Sequence, residues 1–205
     1  MTVAERKTQK KEELRALILE GAKKLFVKKG IEATTIRNIA VAVNYSVGTV
    51  YVYFKDKNAI LHALHTQGFT QLVADFKVLS NVADPMARLR AMGKVYISFA
   101  LQNSDMYDLM FNLKAPIEFL NTMREEEWNE GKATFDVLRK TVKQCLEAGH
   151  FKGHKLEPLT FMIWSLVHGM CSLKIGNRAT AVNLKNADNI LEEAYNEFLK
   201  FLDTI

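Results

Sequence analysis

Nine residues, Ser46 to Phe54 (SVGTVYVYF), carry side chains suited to recognising a surface rather than to transforming a substrate. On a helical wheel of about 100° per residue, Val50 and Phe54 point the same way with Val47 and Ser46 beside them. Gly48 and Val52 face the opposite side, Tyr51 and Tyr53 flank the helix, and Thr49 lies between the outer face and Tyr53. A helix this short gains little by turning a glycine and a threonine to water, but it fits a major groove. Glycine lets the backbone approach, threonine can meet base edges, and valine can touch a thymine methyl. The hydroxyls of Tyr51 and Tyr53, with Thr35 and Arg37 upstream and Lys57 downstream, are placed to hold phosphates, aided by amides at helix N-termini.

Other chemistries have less support. His150 and His154 straddle Gly153 with Cys145 nearby, but this spacing matches no closed tetrahedral zinc set. No Gly-rich phosphate loop, nucleophile elbow or paired catalytic carboxylate is visible, and the run Glu125 to Glu127 reads as a solvated face. The expectation is a protein that is not an enzyme and holds no metal or cofactor. Tyr107, Met110, Phe111, Trp128, Phe135, Phe161 and Met162 either line an apolar cavity between helices or fill a core, and periodicity alone favours the filled core.

Proline occurs only three times and no window alternates apolar and polar residues over strand-like lengths, so the expected fold is all-α. From about Lys10 to Lys29, Leu14, Leu17, Ile18, Ala22, Leu25 and Phe26 recur at three and four, and Gly30 closes that helix. Thr34 and Thr35 can cap a second helix with Ile36, Ile39, Ala40 and Val43 inside. Asn44 then tolerates the left-handed conformation of a tight turn, and Ser46 caps the third helix. Asp56 can cap a fourth that runs on through Leu72. Asp84-Pro85 starts another helix, Ser104 opens a short one, and Pro116 begins a long amphipathic segment reaching about Ala148. Gly149 and Gly153 break the chain before an apolar helix over Leu159 to Leu173, and Asp188 to Leu202 carries a last wide stripe.

The elements divide by charge. Residues 1–60 hold 12 Lys/Arg against 6 Asp/Glu, and residues 61–205 hold 16 against 17, so the net charge of +5 sits in the first 60. A basic head on a neutral body suggests a polyanion-binding domain over 1–60 and a second domain over 61–205 with another task. Cys145 and Cys171 read as reduced core thiols. The start lacks an apolar signal region and no stretch is long enough to span a bilayer, so a cytoplasmic protein with no membrane partner is expected.

The string KKGIEATTIRNIAVAVNYSVGTVYVYFKDKNAIL resembles the DNA-binding domain of the TetR family of repressors, with TTIRNIA as the second helix and SVGTVYVYF as the recognition helix. The resemblance covers residues 12 to 64 without a gap; Asn44 stands where the family usually has glycine. It implies a helix-turn-helix fold with groove or base contacts from Val47, Gly48, Thr49 and Val52. It implies phosphate contacts from Thr35, Arg37, Tyr51, Tyr53 and Lys57, with Tyr51 open to a packing role instead. FMIWSLVHGMCSL, with Trp164, His168 and Gly169 in W-x-x-x-H-G spacing, resembles more weakly the C-terminal domain of a subgroup named for its Trp-His-Gly triplet.

The resemblance also implies a helical body that binds a small apolar or amphipathic effector and releases DNA in response. The candidate lining is Tyr107, Met110, Phe111, Trp128, Phe135, Phe161 and Trp164, with His168 either a polar handle or a satisfied core residue. A constitutive DNA-binding dimer without an effector is the alternative. Because one short helix reads few base pairs, two heads must be held at fixed spacing by a homodimer on an inverted repeat. The candidate interface is the small-residue stripe Ser165, Gly169 and Ser172 together with Tyr195, Phe198 and Leu202 of the last stripe.

Overall fold

A computed structural model describes residues 2–112 and 129–204. These are α-helices and short helical turns, with no strand among the described residues. Trp128, the acidic run at 125–127 and the helix start expected at Pro116 lie outside them. The elements are α1 (Val3–Lys29), α2 (Ile36–Ala42), α3 (Val47–Tyr53), α4 (Lys57–Lys77), α5 (Pro85–Gln102) and α6 (Ser104–Tyr107). They continue with α7 (Asn129–Glu147), α8 (Leu156–Ile175), α9 (Arg178–Ala181) and α10 (Ile190–Leu202). A 3-10 turn, Val78–Asn81, follows α4, and a π turn, Asp108–Asn112, follows α6.

The described residues pack as two compact units, one drawn from residues 2–68 and 105–112, the other from 69–104 and 129–204. The break falls within α4 between Gly68 and Phe69, some two turns beyond the charge boundary at residue 60. Charge follows the surface a segment presents, whereas packing follows its buried face, so the two divisions need not coincide.

In the first unit, α1 starts at Val3 rather than near Lys10. The Thr2 hydroxyl accepts from the Glu5 amide at 3.2 Å while the Glu5 carboxylate accepts from the Thr2 amide at 2.7 Å, a capping box that carries the helix seven residues further out. Its buried residues, Ile18, Leu19, Ala22 and Phe26, all lie in the second half. Gly21 rests on Val43, where a Cβ would stand 2.5 Å from Cγ1, so this close crossing of α1 and the end of α2 requires glycine. His65 of α4 is buried, with its Nε2 3.2 Å from the Met110 carbonyl of the π turn.

In the second unit, Asp84 caps α5 by accepting from the Met86 and Ala87 amides, with Pro85 at the first helical position. Helix α5 packs against α7 and α8, and α8 in turn against α10. Arg88 ties α5 to α7 through Gln144 Oε1 at 2.7 Å. The Tyr195 ring of α10 lies so close over Gly93 that no Cβ fits there, and its hydroxyl donates to the Arg90 carbonyl at 2.7 Å. Burial pushes that phenol up to about 12 and the free thiols of Cys145 and Cys171 to about 11 and about 12. Tyr195, Phe198 and Leu202 therefore turn into their own unit, all buried, instead of forming the outward face expected of them. A wide apolar stripe fixes which side of a helix is covered, not which neighbour covers it. Among the described residues no helix is long and apolar enough to cross a membrane.

Candidate nucleic-acid interface

Local chemistry builds the reading helix. Asn44 sits at φ 58, the left-handed value the turn after α2 needs and one that asparagine enters readily. Ser46 then caps α3 by accepting from the Thr49 amide at 3.0 Å, and its Oγ lies 2.8 Å from Thr49 Oγ1. Val50 is fully buried and Phe54, just past the helix, is nearly so. The Arg15 guanidinium lies over the Phe54 ring, 5.2 Å from its centroid, so α1 touches the chain where α3 ends.

With that side anchored, the opposite side is open. Val52 is 76% exposed and Tyr51 53%, so an apolar and a phenolic side chain stand out from a helix that has nothing of its own chain to cover them. A Cβ on Gly48 would meet only Ser46 Oγ at 3.7 Å, so internal packing does not require glycine at this position. Val47, Thr49 and Tyr53 are half-buried at the rim. Val41 at the end of α2, 75% exposed, and Tyr45 in the turn before α3 are two further exposed apolar or aromatic side chains. Sequence reasoning passed over both, although an aromatic residue beside a left-handed asparagine in a tight turn is a usable signal.

The expected phosphate ligands divide. Thr35 caps α2 through a box with Asn38, leaving the start of α2 exposed beside Arg37, whose side chain is exposed too. Lys57 is half-buried and its ammonium donates to the Ile31 carbonyl at 2.7 Å, which ties the start of α4 to the loop after α1. Two of its three protons remain for an outside anion, so Lys57 fastens the unit as well as adding charge.

Comparison with known proteins decides the relationship. Residues 18–64 match a model described as bacterial regulatory proteins, tetR family, and residues 89–198, over half the chain, match a tetracyclin repressor-like C-terminal domain. The chain belongs to the TetR family of transcription regulators. AcrR of Shigella flexneri, an HTH-type transcriptional regulator, is 25% identical to it over 152 residues, 71% of this chain and 70% of that protein. YvkB of Bacillus subtilis (strain 168), an uncharacterized HTH-type transcriptional regulator, is 44% identical over 50 residues, 24% of this chain and 26% of that one. The TetR-family regulator PfmR of Thermus thermophilus shares the fold at TM-score 0.68 and 23% identity, covering 90% of this chain and 96% of that one. The fatty acid degradation regulator FadR of Bacillus halodurans does so at TM-score 0.72 and 14% identity, covering 90% and 94%. This TetR-family regulator is a DNA-binding protein.

The candidate effector residues of this regulator fall into two groups. Tyr107 and Met110 are buried in the first unit, with the Phe111 ring 5.0 Å from that of Tyr107. In the second unit Trp164 gathers Phe135, Phe161 and His168, with ring centroids at 5.9, 6.0 and 5.7 Å. Behind them the Tyr96 hydroxyl lies 3.1 Å from His168 Nδ1 and accepts from Trp164 Nε1 at 3.4 Å, and Ser172 Oγ is 3.4 Å from His168 Nε2. Burial lowers the His168 pKa, favouring neutral imidazole within this polar chain. An open cleft of about 430 Å³ lies elsewhere in the unit, among Asp84, Met86, Arg90, His150 and Asp203, and includes none of the candidates. Phe161 is 58% exposed, an aromatic edge beside Trp164 rather than core filling.

Proposed function

We propose that this protein is a repressor that binds an inverted-repeat operator as a homodimer and leaves it when a small apolar or amphipathic molecule occupies the helical body. The observation that carries the DNA half is the open, glycine-bearing side of α3, locked from behind by buried Val50 and Phe54 in the basic part of the chain. Val47, Gly48, Thr49 and Val52 make the groove contacts, while Thr35, Arg37, Tyr51, Tyr53 and Lys57 hold phosphates on either side.

The dimer is supported by α8. Met162, Leu166 and Leu173 are exposed, Ser165 lies between them, and no atom comes within 4 Å of a Cβ placed on Gly169. Spaced at four, three and four, these positions form one uncovered side of the helix, and small residues at its centre let a symmetry mate come close. The exposed flank of α10 contributes Phe201, in place of the inward-facing Tyr195, Phe198 and Leu202.

The effector half is supported by the aromatic edge of Phe161, Phe135 and Trp164 with the Tyr96–His168 pair as its polar end, a combination suited to an amphipathic ligand. The W-x-x-x-H-G spacing supports placing the body with the Trp-His-Gly subgroup. Selecting bound fragments from the host's genomic DNA tests the DNA half. The expected result is a two-fold repeat with half-site centres about one helical turn or somewhat more apart. Compounds that shift the melting temperature then test the effector, because a ligand that lowers operator affinity must itself bind more weakly by the same factor when operator is present.

A further inference from the structure

The first half of α1 has no structural task in its own chain. Every residue from Thr2 to Glu13 is exposed, the first half-buried positions are Leu14 and Arg15, and the first buried one is Ile18. Eleven residues of helix, about 16 Å, thus run free of the packed body. Their charges are sorted by side. Arg6 and Lys10, and Lys7 and Lys11, are i,i+4 pairs that together occupy an arc of about 140°, with Glu5 and Glu12 on the opposite side.

Glu5 is engaged in the capping box and Glu13 accepts from the Gln9 amide at 3.0 Å, whereas among the described residues none of the four cations is paired with a carboxylate. Like charges at i,i+4 work against the helix, so an arrangement that keeps two such pairs aligned on one side is relieved by an outside polyanion. The position of this arm is set by its root. Arg15 lies over Phe54, the residue that ends the reading helix, and the free turns continue directly from that contact.

We infer that the cationic side of α1, Arg6, Lys7, Lys10 and Lys11, is a second DNA-contacting surface. It takes phosphates beyond those reached by α2, α3 and the start of α4, and it adds affinity without reading sequence. Charge complementarity and the rooting of α1 at Phe54, the residue that follows α3, carry this inference, which rests on the DNA binding of α3.

The test replaces all four cations, Arg6→Gln, Lys7→Gln, Lys10→Gln and Lys11→Gln, in the full chain; glutamine keeps helix propensity, and circular dichroism verifies that helicity and melting are retained. Binding to the recovered operator and to an unrelated duplex is measured across salt concentrations, with backbone footprinting of the operator complex. The slope of log K against log salt should become shallower by about 0.9 for each phosphate no longer neutralised, up to about 3.6 per chain, and equally on both duplexes. The footprint should shorten while base preference stays the same. A slope within half a unit of wild type, or an unchanged footprint, overturns the inference. So does a variant that keeps the slope but no longer pellets with phosphatidylglycerol vesicles as wild type does, which would assign the surface to a membrane. A wild-type chain that binds neither duplex would instead overturn the α3 interface itself.

Discussion

At the scale of single residues, the outward and inward halves of the interface make different demands. Arg37 is exposed, so Arg37→Ala should leave the melting temperature unchanged, weaken all DNA alike and flatten the salt slope by about one unit. Thr49→Ala should instead cost the specific operator about 1 to 3 kcal/mol and spare an unrelated duplex, as competition binding would reveal. Equal losses on both duplexes would remove Thr49 from base readout. Lys57→Ala should do two things at once. It removes a cation from the DNA and leaves the Ile31 carbonyl without its donor, costing about 1 kcal/mol of stability, so a denaturant melt distinguishes it from Arg37→Ala. The residue types of SVGTVYVYF announced which side is exposed because a seven-residue helix with one apolar edge packs by that edge. That Lys57 also clasps a carbonyl 26 positions away is a tertiary fact, and no local pattern encodes it.

At the scale of elements, ends were more legible than neighbours. Asn44, Ser46, Asp56 and Asp84-Pro85 mark their turns and caps because each acts on backbone within three residues of itself. Thr2 and Glu5 carried the same kind of signal, hidden because α1's first turns have no apolar stripe to draw attention to them. The direction of α10 was not legible, since its stripe fits an intramolecular core and a dimer seam equally well. Tyr195→Phe should cost about 1 kcal/mol in a denaturant melt by freeing the Arg90 carbonyl, and Gly93→Ala about 1 to 3 kcal/mol by pushing the ring away. Helix α8 has a pH consequence. His168 has a folded pKa below its ordinary 6.5, so near that value the unfolded chain binds more protons than the folded one. Its contribution is present above about pH 6.5 and is lost as pH falls through the lowered value. Melting of wild type should decline more steeply than that of His168→Gln between pH 6.5 and 5; parallel declines would show that protonation elsewhere dominates.

For the whole molecule, assembly is the property a single chain leaves open. A Cβ at Gly169 would meet no neighbouring element within 4 Å, so the first atom of the side chain in Gly169→Leu is accommodated, and replacing a mid-helix glycine should if anything favour the helix. Sedimentation should therefore find dimers weakened by tenfold or more while far-UV melting of the monomer is not lowered. An intact dimer would move the seam away from this side of α8. The small residues Ser165, Gly169 and Ser172 were legible as a stripe, but only the folded chain reveals that Ser165 is exposed and that a Cβ on Gly169 would meet no neighbouring element within 4 Å. The seat of Tyr195 against Gly93 and the Arg90 carbonyl also sets a timetable. The two partners are 105 residues apart in the chain, and at roughly 5 to 20 residues added per second the ribosome needs about 5 to 20 s to deliver the ring after its seat is made. During that interval the apolar side of α5 has emerged and its cover has not been synthesised, so the nascent second unit is the stretch where a holding chaperone would find its client.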